Sequence, residues 1–302
     1  MSQPAAPPST VQRLDVALVE RGLARSRARA AHAVKDGRVR VGGVLASRPA
    51  QLVTTEDQLT LDAAPDGALV SRAGGKLVGA LDALDALAAT GVRTPEPRGL
   101  DCLDVGASTG GFTQVLLDRG ARTVAAIDVG HGQLVPELRR DPRVVVREGL
   151  NARELRADDL PFAPTLVVAD LSFISLTLVL PALRATAPTA ELLLMVKPQF
   201  EVGRARLGRG GVVRDPAHHV DAVLDVVACG AEHGARVRGV VASAVPGPSG
   251  NREFFCWFSP DVPHDAHAAR TDAGPAVRAA VADSTGATIR TVGAPPHDPD
   301  GR

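Results

Sequence analysis

The sequence predicts an α/β architecture: a mostly parallel sheet covered on both faces, preceded by a small α+β module. Three observations predict it. From about residue 100 onward, short apolar runs alternate with amphipathic stretches, the pattern of strands joined by helical crossovers. At 302 residues and 45% hydrophobic content, the chain is long enough to bury one large core with a smaller domain beside it. The net charge of zero also hides a division. From Arg13 to Arg48 there are nine basic residues against three acidic ones, leaving +6 there and −6 in the remainder. Such asymmetry suggests a separate module with a polyanionic partner.

Taken in order, residues 1–11 are rich in Pro, Ala and Ser and are expected to be disordered. The small module follows over 12–62. Leu14, Ala17 and Leu18 share a helical face that stops at Gly22, Ser26 can cap a second helix, and Gly37 ends that helix. VRVGGVL then reads as a strand and turn. Arg25, Arg27 and Arg29 sit around the start of the second helix. Arg13, Lys35, Arg38 and Arg40 extend the basic set expected to contact RNA. Residues 63–72 read as a linker. In the large domain, 73–260, the candidate strands are GLDCLDV, RTVAAIDV, RVVVRE, PTLVVAD, ELLLMVK, RVRGVVAS and EFFCWF, the last antiparallel. Helices are expected at 175–186 and 217–233. Residues 261–302 lack sustained periodicity and read as a largely disordered tail.

No window of 18 uninterrupted apolar residues occurs and the N-terminus MSQPAAPPST lacks the regions of a secretory signal, so a cytoplasmic protein is expected. Cys102, Cys229 and Cys256 are far apart with no C-x-x-C spacing. This argues against a disulfide framework or a metal site and for small core residues.

LDVGASTGGFTQVLLDRG carries a strand into a glycine-rich turn and a helix, whose free N–H groups can face a ligand. Ser108 stands where a G-x-G-x-x-G fingerprint would have its second glycine. Asp128 ends the next strand and can accept hydrogen bonds from ribose hydroxyls. These features alone fit a nicotinamide cofactor and S-adenosylmethionine equally. ELLLMVKPQFE poses a sharper question, because a run apolar enough for a sheet interior ends on Lys197, and a buried ammonium is costly unless paired. Asp170 ends the preceding strand in the same way. The two are either a structural ion pair or an active-site pair. Lys76 in SRAGGKL and Glu253 in PGPSGNREFF, taken singly, are surface charges by default. Phe173, Phe200 and Phe254 are available for the core or for stacking, with the core favoured.

Taken together and in this order, SRAGGKL, DVGASTGG, ADLSFIS, VKPQFEVG and GPSGNREFF resemble the TlyA family of ribosomal RNA 2′-O-methyltransferases, often called hemolysins, within the FtsJ-like group. The resemblance covers roughly residues 12–259, with 12 to about 60 similar to the alpha-L RNA-binding module. It implies a class I Rossmann-like methyltransferase with a seven-stranded sheet and a catalytic Lys-Asp-Lys-Glu tetrad of Lys76, Asp170, Lys197 and Glu253. It also implies S-adenosyl-L-methionine held by Gly106, Ser108, Gly110, Gly111 and Asp170, with Asp128 near its ribose and Asn151 near its adenine. The implied partner is ribosomal RNA or a ribosomal subunit, met by a monomer without a membrane. The connector DGALV departs from relatives that carry a Trp-containing segment, and the resemblance is silent beyond residue 262.

The implied reaction needs an aligned ribose hydroxyl and stabilisation of the charge developing on its oxygen. Lys197 is expected to orient the hydroxyl and either help deprotonate it as a neutral base or stabilise the oxygen as an ammonium, with Asp170 and Glu253 setting its charge state and Lys76 completing the constellation. A membrane-damaging protein would want a spanning segment or a basic amphipathic helix with bulky aromatics, and neither occurs. A base methyltransferase would want an Asn-Pro-Pro-Tyr-like segment where ADLSF stands. An RNA-binding adaptor without chemistry would not need all four charges.

Overall fold

A computed structural model of the protein describes residues 11–24, 27–35, 37–62, 69–208, 210–247, 249–283, 285–286 and 288–293. Within the second helix, the side chains of residues 28, 29, 32 and 35 lie outside that description. The expectations for residues 1–10, Ser26, 63–68 and 294–302, for Arg25, and for the side chains of Arg29 and Lys35 therefore fall outside the described residues. The chain divides into two compact units, with the boundary between residues 68 and 69.

The first unit comprises β1 (Val11–Arg13), α1 (Leu14–Glu20), α2 (Arg27–Lys35), β2 (Val39–Val41), β3 (Val44–Leu45), β4 (Leu52–Thr54) and β5 (Leu59–Leu61). Leu14, Ala17 and Leu18 are fully buried, as their shared face predicts, and they pack with Ala30, Val34, Val39 and Val53. Gly37 ends α2 with φ +70°, a left-handed conformation that glycine adopts without steric cost, and Arg38 N bonds back to Ala33 O at 3.0 Å.

In the second unit, α3 (Arg72–Ala88) precedes β6 (Asp101–Val105), α4 (Gly111–Asp118), β7 (Thr123–Asp128), α5 (Pro136–Arg140) and β8 (Val144–Glu148). The chain continues through β9 (Leu166–Ala169), α6 (Leu180–Thr186), β10 (Glu191–Val196), α7 (Pro198–Glu201), α8 (Pro216–Glu232), β11 (Ala235–Ala242), β12 (Phe254–Pro260), α9 (Ala266–Ala282) and β13 (Arg290–Thr291). The sheet order is β13-β11-β12-β10-β9-β6-β7-β8. Pairing is parallel from β10 across to β8, and β12 runs antiparallel to both β10 and β11. Alternation along the strands builds two cores. Leu192, Leu194 and Val196 of β10 face the side of α6, α8 and α9, while Leu193 and Met195 face the side of α3 and α4. All three cysteines are buried and free, and burial pushes the Cys102 thiol up to about 12 and Cys229 up to about 11.

Three expectations are corrected. Among the described residues the sheet has eight strands rather than seven. The added β13 pairs with β11 where Gly239, lacking a side chain, leaves room for Ile289; a Cβ there would meet Ile289 Cδ1 at 2.8 Å. The segment after residue 260 is not all disordered, because 266–282 form α9 on the same core. Its buried face is made of small residues, Ala269, Ala273, Val277 and Ala280. Residues 69–72, read as linker, belong to the large unit. Val70 N donates to Gln114 Oε1 at 2.7 Å, and Ser71 is buried.

Candidate active site

Register brings the charges together. Val105 lies opposite Ala169 and Val196 opposite Phe254, so Gly106, Asp170, Lys197 and Glu253 all leave the sheet at the carboxyl end of its parallel strands. Asp170 N donates to Val105 O at 3.1 Å. The chain winds outward from β6 through β7 to β8, then returns on the other side as β9. The end of β6 is therefore the point where strand order reverses.

Lys76 arrives from the other direction, in the first turns of α3. Two glycines let that helix approach the 106–111 turn. A Cβ at Gly111 would lie 2.2 Å from Ser71 Oγ, and one at Gly74 would lie 3.1 Å from Gly111 O. SRAGGKL is thus a close-approach segment that delivers a lysine.

The four charges form an alternating chain. Lys76 Nζ lies 2.6 Å from Glu253 Oε2 and 4.0 Å from Asp170 Oδ2. Lys197 Nζ lies 2.5 Å from Asp170 Oδ1, an ion pair rather than an aligned hydrogen bond, and donates to Ser172 Oγ at 3.0 Å. Gln199 Nε2 reaches Glu253 Oε1 at 3.4 Å. Side-chain exposure is 1% for Glu253, 7% for Lys76, 8% for Lys197 and 12% for Asp170, so Asp170 is the most open of the four. Two cations and two carboxylates offset one another's desolvation, which is the condition for keeping them buried. An oxygen brought beside Lys197 would meet an ammonium already fixed by Asp170 and Ser172. That arrangement can stabilise negative charge and move a proton.

At the glycine turn, Gly106 has φ +85°, and a Cβ there would meet Asp170 O at 2.9 Å, so the backbone passes where no side chain fits. The glycines at 110 and 111 serve packing: a Cβ on Gly110 would strike Leu138 of α5, and one on Gly111 would strike the start of α3. Ser108 has φ +48°. Asp128 accepts Ser108 N at 2.8 Å and Gly130 N at 2.7 Å, so its carboxylate ties the two loops while keeping lone pairs for further donors. Asn151 caps a short turn, accepting Arg153 N at 3.1 Å. A turn whose backbone is bare at Gly106, a strand-end carboxylate beside it and a helix beginning behind it fit a nucleoside-bearing ligand.

Residues that the sequence reading passed over complete the site. Ser172 and Gln199 each stand two positions after a tetrad member, and that spacing is the signal that could have found them. Asp104, fully buried in β6, accepts the Thr113 hydroxyl at 2.6 Å, and its Oδ1 has no hydrogen-bond partner among the described residues. Burial pushes its carboxyl up to about 7. Glu201 accepts Leu176 N at 2.9 Å and the Ser175 hydroxyl, tying the segment after Asp170 to the end of α7. The preference for a core role holds for Phe254, which is fully buried, and fails for Phe173, which is 91% exposed with φ +66° and its ring centroid 5.2 Å from that of Phe200.

In the first unit, Arg13 and Arg27 converge on the buried Asp15, at 2.9 and 3.3 Å, and the Arg13 guanidinium holds that carboxyl below its usual range. Arg40 pairs with Asp62 at 3.3 Å, and Arg38 donates to Asp62 O at 3.4 Å. Arg21, absent from the predicted basic set, is occupied internally by the carbonyls of Asp57 and Thr54. Arg13, Arg27 and Arg40 remain 42–61% exposed at their side chains despite these pairs. Among the described residues no group of side chains could hold a metal ion, and no helix is long and apolar enough to cross a membrane.

Comparison with known proteins agrees with this division. Residues 69–259 match the FtsJ-like methyltransferase family and residues 12–59 match the S4 domain. The 16S/23S rRNA (cytidine-2′-O)-methyltransferase TlyA of Mycobacterium tuberculosis is 52% identical over 247 residues, 82% of this chain and 89% of that one. Hemolysin A of Brachyspira hyodysenteriae is 34% identical over 82% of this chain and 99% of its own. A solved structure from Streptococcus thermophilus, described as a hemolysin, superposes with a TM-score of 0.66 at 33% identity, covering 92% of this chain and 96% of that one. The chain belongs to the FtsJ-like methyltransferase family, in its TlyA branch of ribosomal RNA methyltransferases, with an S4 domain ahead of the methyltransferase domain.

Proposed function

We propose that the protein transfers a methyl group to the 2′-hydroxyl of a cytidine ribose in ribosomal RNA, using Lys76, Asp170, Lys197 and Glu253. The observation that carries this reading is the meeting of Lys197 with Asp170 and of Lys76 with Glu253 at one end of the sheet, beside the glycine turn. The identity to the M. tuberculosis enzyme supports the choice of cytidine and of ribosomal RNA.

Gly106, Ser108, Asp128, Asn151 and the backbone at 110–111 would hold S-adenosylmethionine, which when bound supplies a methyl group already activated on a sulfonium. The work left to the protein is alignment and charge. Lys197 orients the ribose hydroxyl and stabilises negative charge as it grows on the oxygen. Asp170 and Ser172 hold the Lys197 ammonium in place, and Asp170, the most open of the four, takes the proton. Lys76 and Glu253 fix Asp170 from behind. The exposed ring of Phe173, packed on Phe200, offers a stacking surface to a nucleotide drawn out of its helix. The basic residues of the first unit, Arg13, Arg25, Arg27, Arg29, Lys35, Arg38 and Arg40, hold phosphates of folded RNA, a contact that weakens with salt.

The test is incorporation of labelled methyl groups into purified ribosomal subunits, followed by alkaline hydrolysis and mass mapping. Alkali-resistant linkages at cytidine are the expected outcome. Binding without incorporation would make the protein an adaptor, and alkali-labile linkages would point to base methylation.

A further inference from the structure

Between α7 and α8 the chain runs GRARLGRGGVVR, residues 203–214, with four arginines and no acidic residue. Arg204, Arg206 and Arg214 are exposed. Arg206 is paired with Asp221 at 3.1 Å, whereas neither Arg204 nor Arg214 has an ion-pair partner among the described residues. An isolated run of this kind is ordinarily a solvated loop. Here its base is anchored. Asn251, 3% exposed, spends both ends of its side-chain amide on the loop: Oδ1 accepts Val213 N at 2.9 Å and Nδ2 donates to Gly211 O at 3.0 Å. His219 Nε2 lies 3.0 Å from Val213 O, and Gly208 N closes the turn onto Val212 O at 3.0 Å. A buried amide is costly unless its bonds are made, so this contact fixes where the loop base sits.

The anchor is two positions before Glu253, and the loop begins six positions after Lys197. An arginine-bearing segment is thus tied at its root to two of the tetrad strands.

We infer that the 203–214 loop is a second RNA-binding element, separate from the S4 domain, in which Arg204 and Arg214 grip backbone phosphates flanking the target nucleotide. The inference rests on the reading of RNA as substrate. Phosphate fits because guanidinium groups bind it in bidentate fashion and the segment has no carboxylate of its own to compete. Asn251 is a positioning residue in this account: it sets the loop in register with Glu253.

The test is steady-state methyl transfer to purified ribosomal subunits lacking the modification, over a series of KCl concentrations. The Arg204→Glu/Arg214→Glu pair should raise KM for subunits by about tenfold or more and flatten the salt dependence by about two phosphate contacts, with the effect in KM rather than kcat. The Arg204→Lys/Arg214→Lys pair should recover most of the affinity. KM and salt slope equal to those of the unaltered protein would overturn the inference. If charge reversal lowers thermal stability, the Arg204→Gln/Arg214→Gln pair gives the same reading with less disturbance. If the unaltered protein transfers no methyl group to RNA, the substrate reading itself falls and takes the loop with it, an outcome visible before any variant is made.

Discussion

Lys76 and Glu253 stand 177 positions apart in the chain, yet their side chains meet at 2.6 Å in a site where each is at most 7% exposed. Removing one partner leaves the other buried with less compensation. Glu253→Gln is expected to cost roughly 3 kcal/mol of stability, softened by Asp170 at 4.0 Å from Lys76. The pair Lys76→Met/Glu253→Leu should recover much of that loss while remaining without activity. Urea denaturation beside a methyl-transfer assay separates the two effects.

Asp104 gives the protein a pH signature. Its carboxyl sits near 7 in the folded chain against an ordinary value of 3.8. Between those values the folded state keeps a proton that the unfolded chain releases. The resulting stability is therefore full below about pH 4 and is lost as pH rises toward 7, by up to roughly 4 kcal/mol. Asp104→Asn should be relatively more stable at pH 7 than at pH 4. Denaturation midpoints of both proteins across that range check the sign.

Arg252 joins the β11–β12 hairpin to α9. Its guanidinium donates to the carbonyls of Val281 and Asp283 at the end of α9 and lies 5.6 Å from the centroid of the Phe254 ring. Arg252→Ala should destabilise the fold by about 2 kcal/mol, since two charge-assisted bonds to carbonyls are lost. Amide exchange in 266–282 should rise before exchange in the central strands does. Equal protection in both proteins would show that α9 is held by its alanine face alone.

Phe173 is exposed and sits at a backbone angle that a phenylalanine rarely adopts. Phe173→Ala should leave the melting temperature unchanged or slightly raised. It should weaken RNA methylation by about tenfold, the scale of one lost stacking contact. A thermal melt and kcat/KM with ribosomal subunits are sufficient measurements.

The seven principal strands were legible because most are short apolar runs bounded by Gly, Pro or charge, and the meeting of four charges at one end of the sheet was to be expected once several motifs were taken together. What escaped notice did so for physical reasons. Helix α9 hid because alanines bury a helix as well as leucines where two helices lie close, yet they give little hydrophobic contrast, and Pro275 interrupts the pattern. Strand β13 depends on space left by Gly239, some fifty positions away. Ser172, Gln199 and Asn251 matter through hydrogen bonds that only the folded register creates. Asp104 was visible in principle: a carboxylate inside DCLDV, on a strand buried on both faces, is costly enough to ask for a reason.

The most direct measurement is the single-turnover rate of Lys197→Ala together with the calorimetric affinity for S-adenosylmethionine. A fall in rate of about a hundredfold or more with cofactor affinity and folding retained is the result expected of an ammonium that stabilises the reacting oxygen. A rate close to that of the unaltered protein would remove Lys197 from the chemistry. Loss of cofactor binding together with a melted fold would reduce its contact with Asp170 to a structural ion pair.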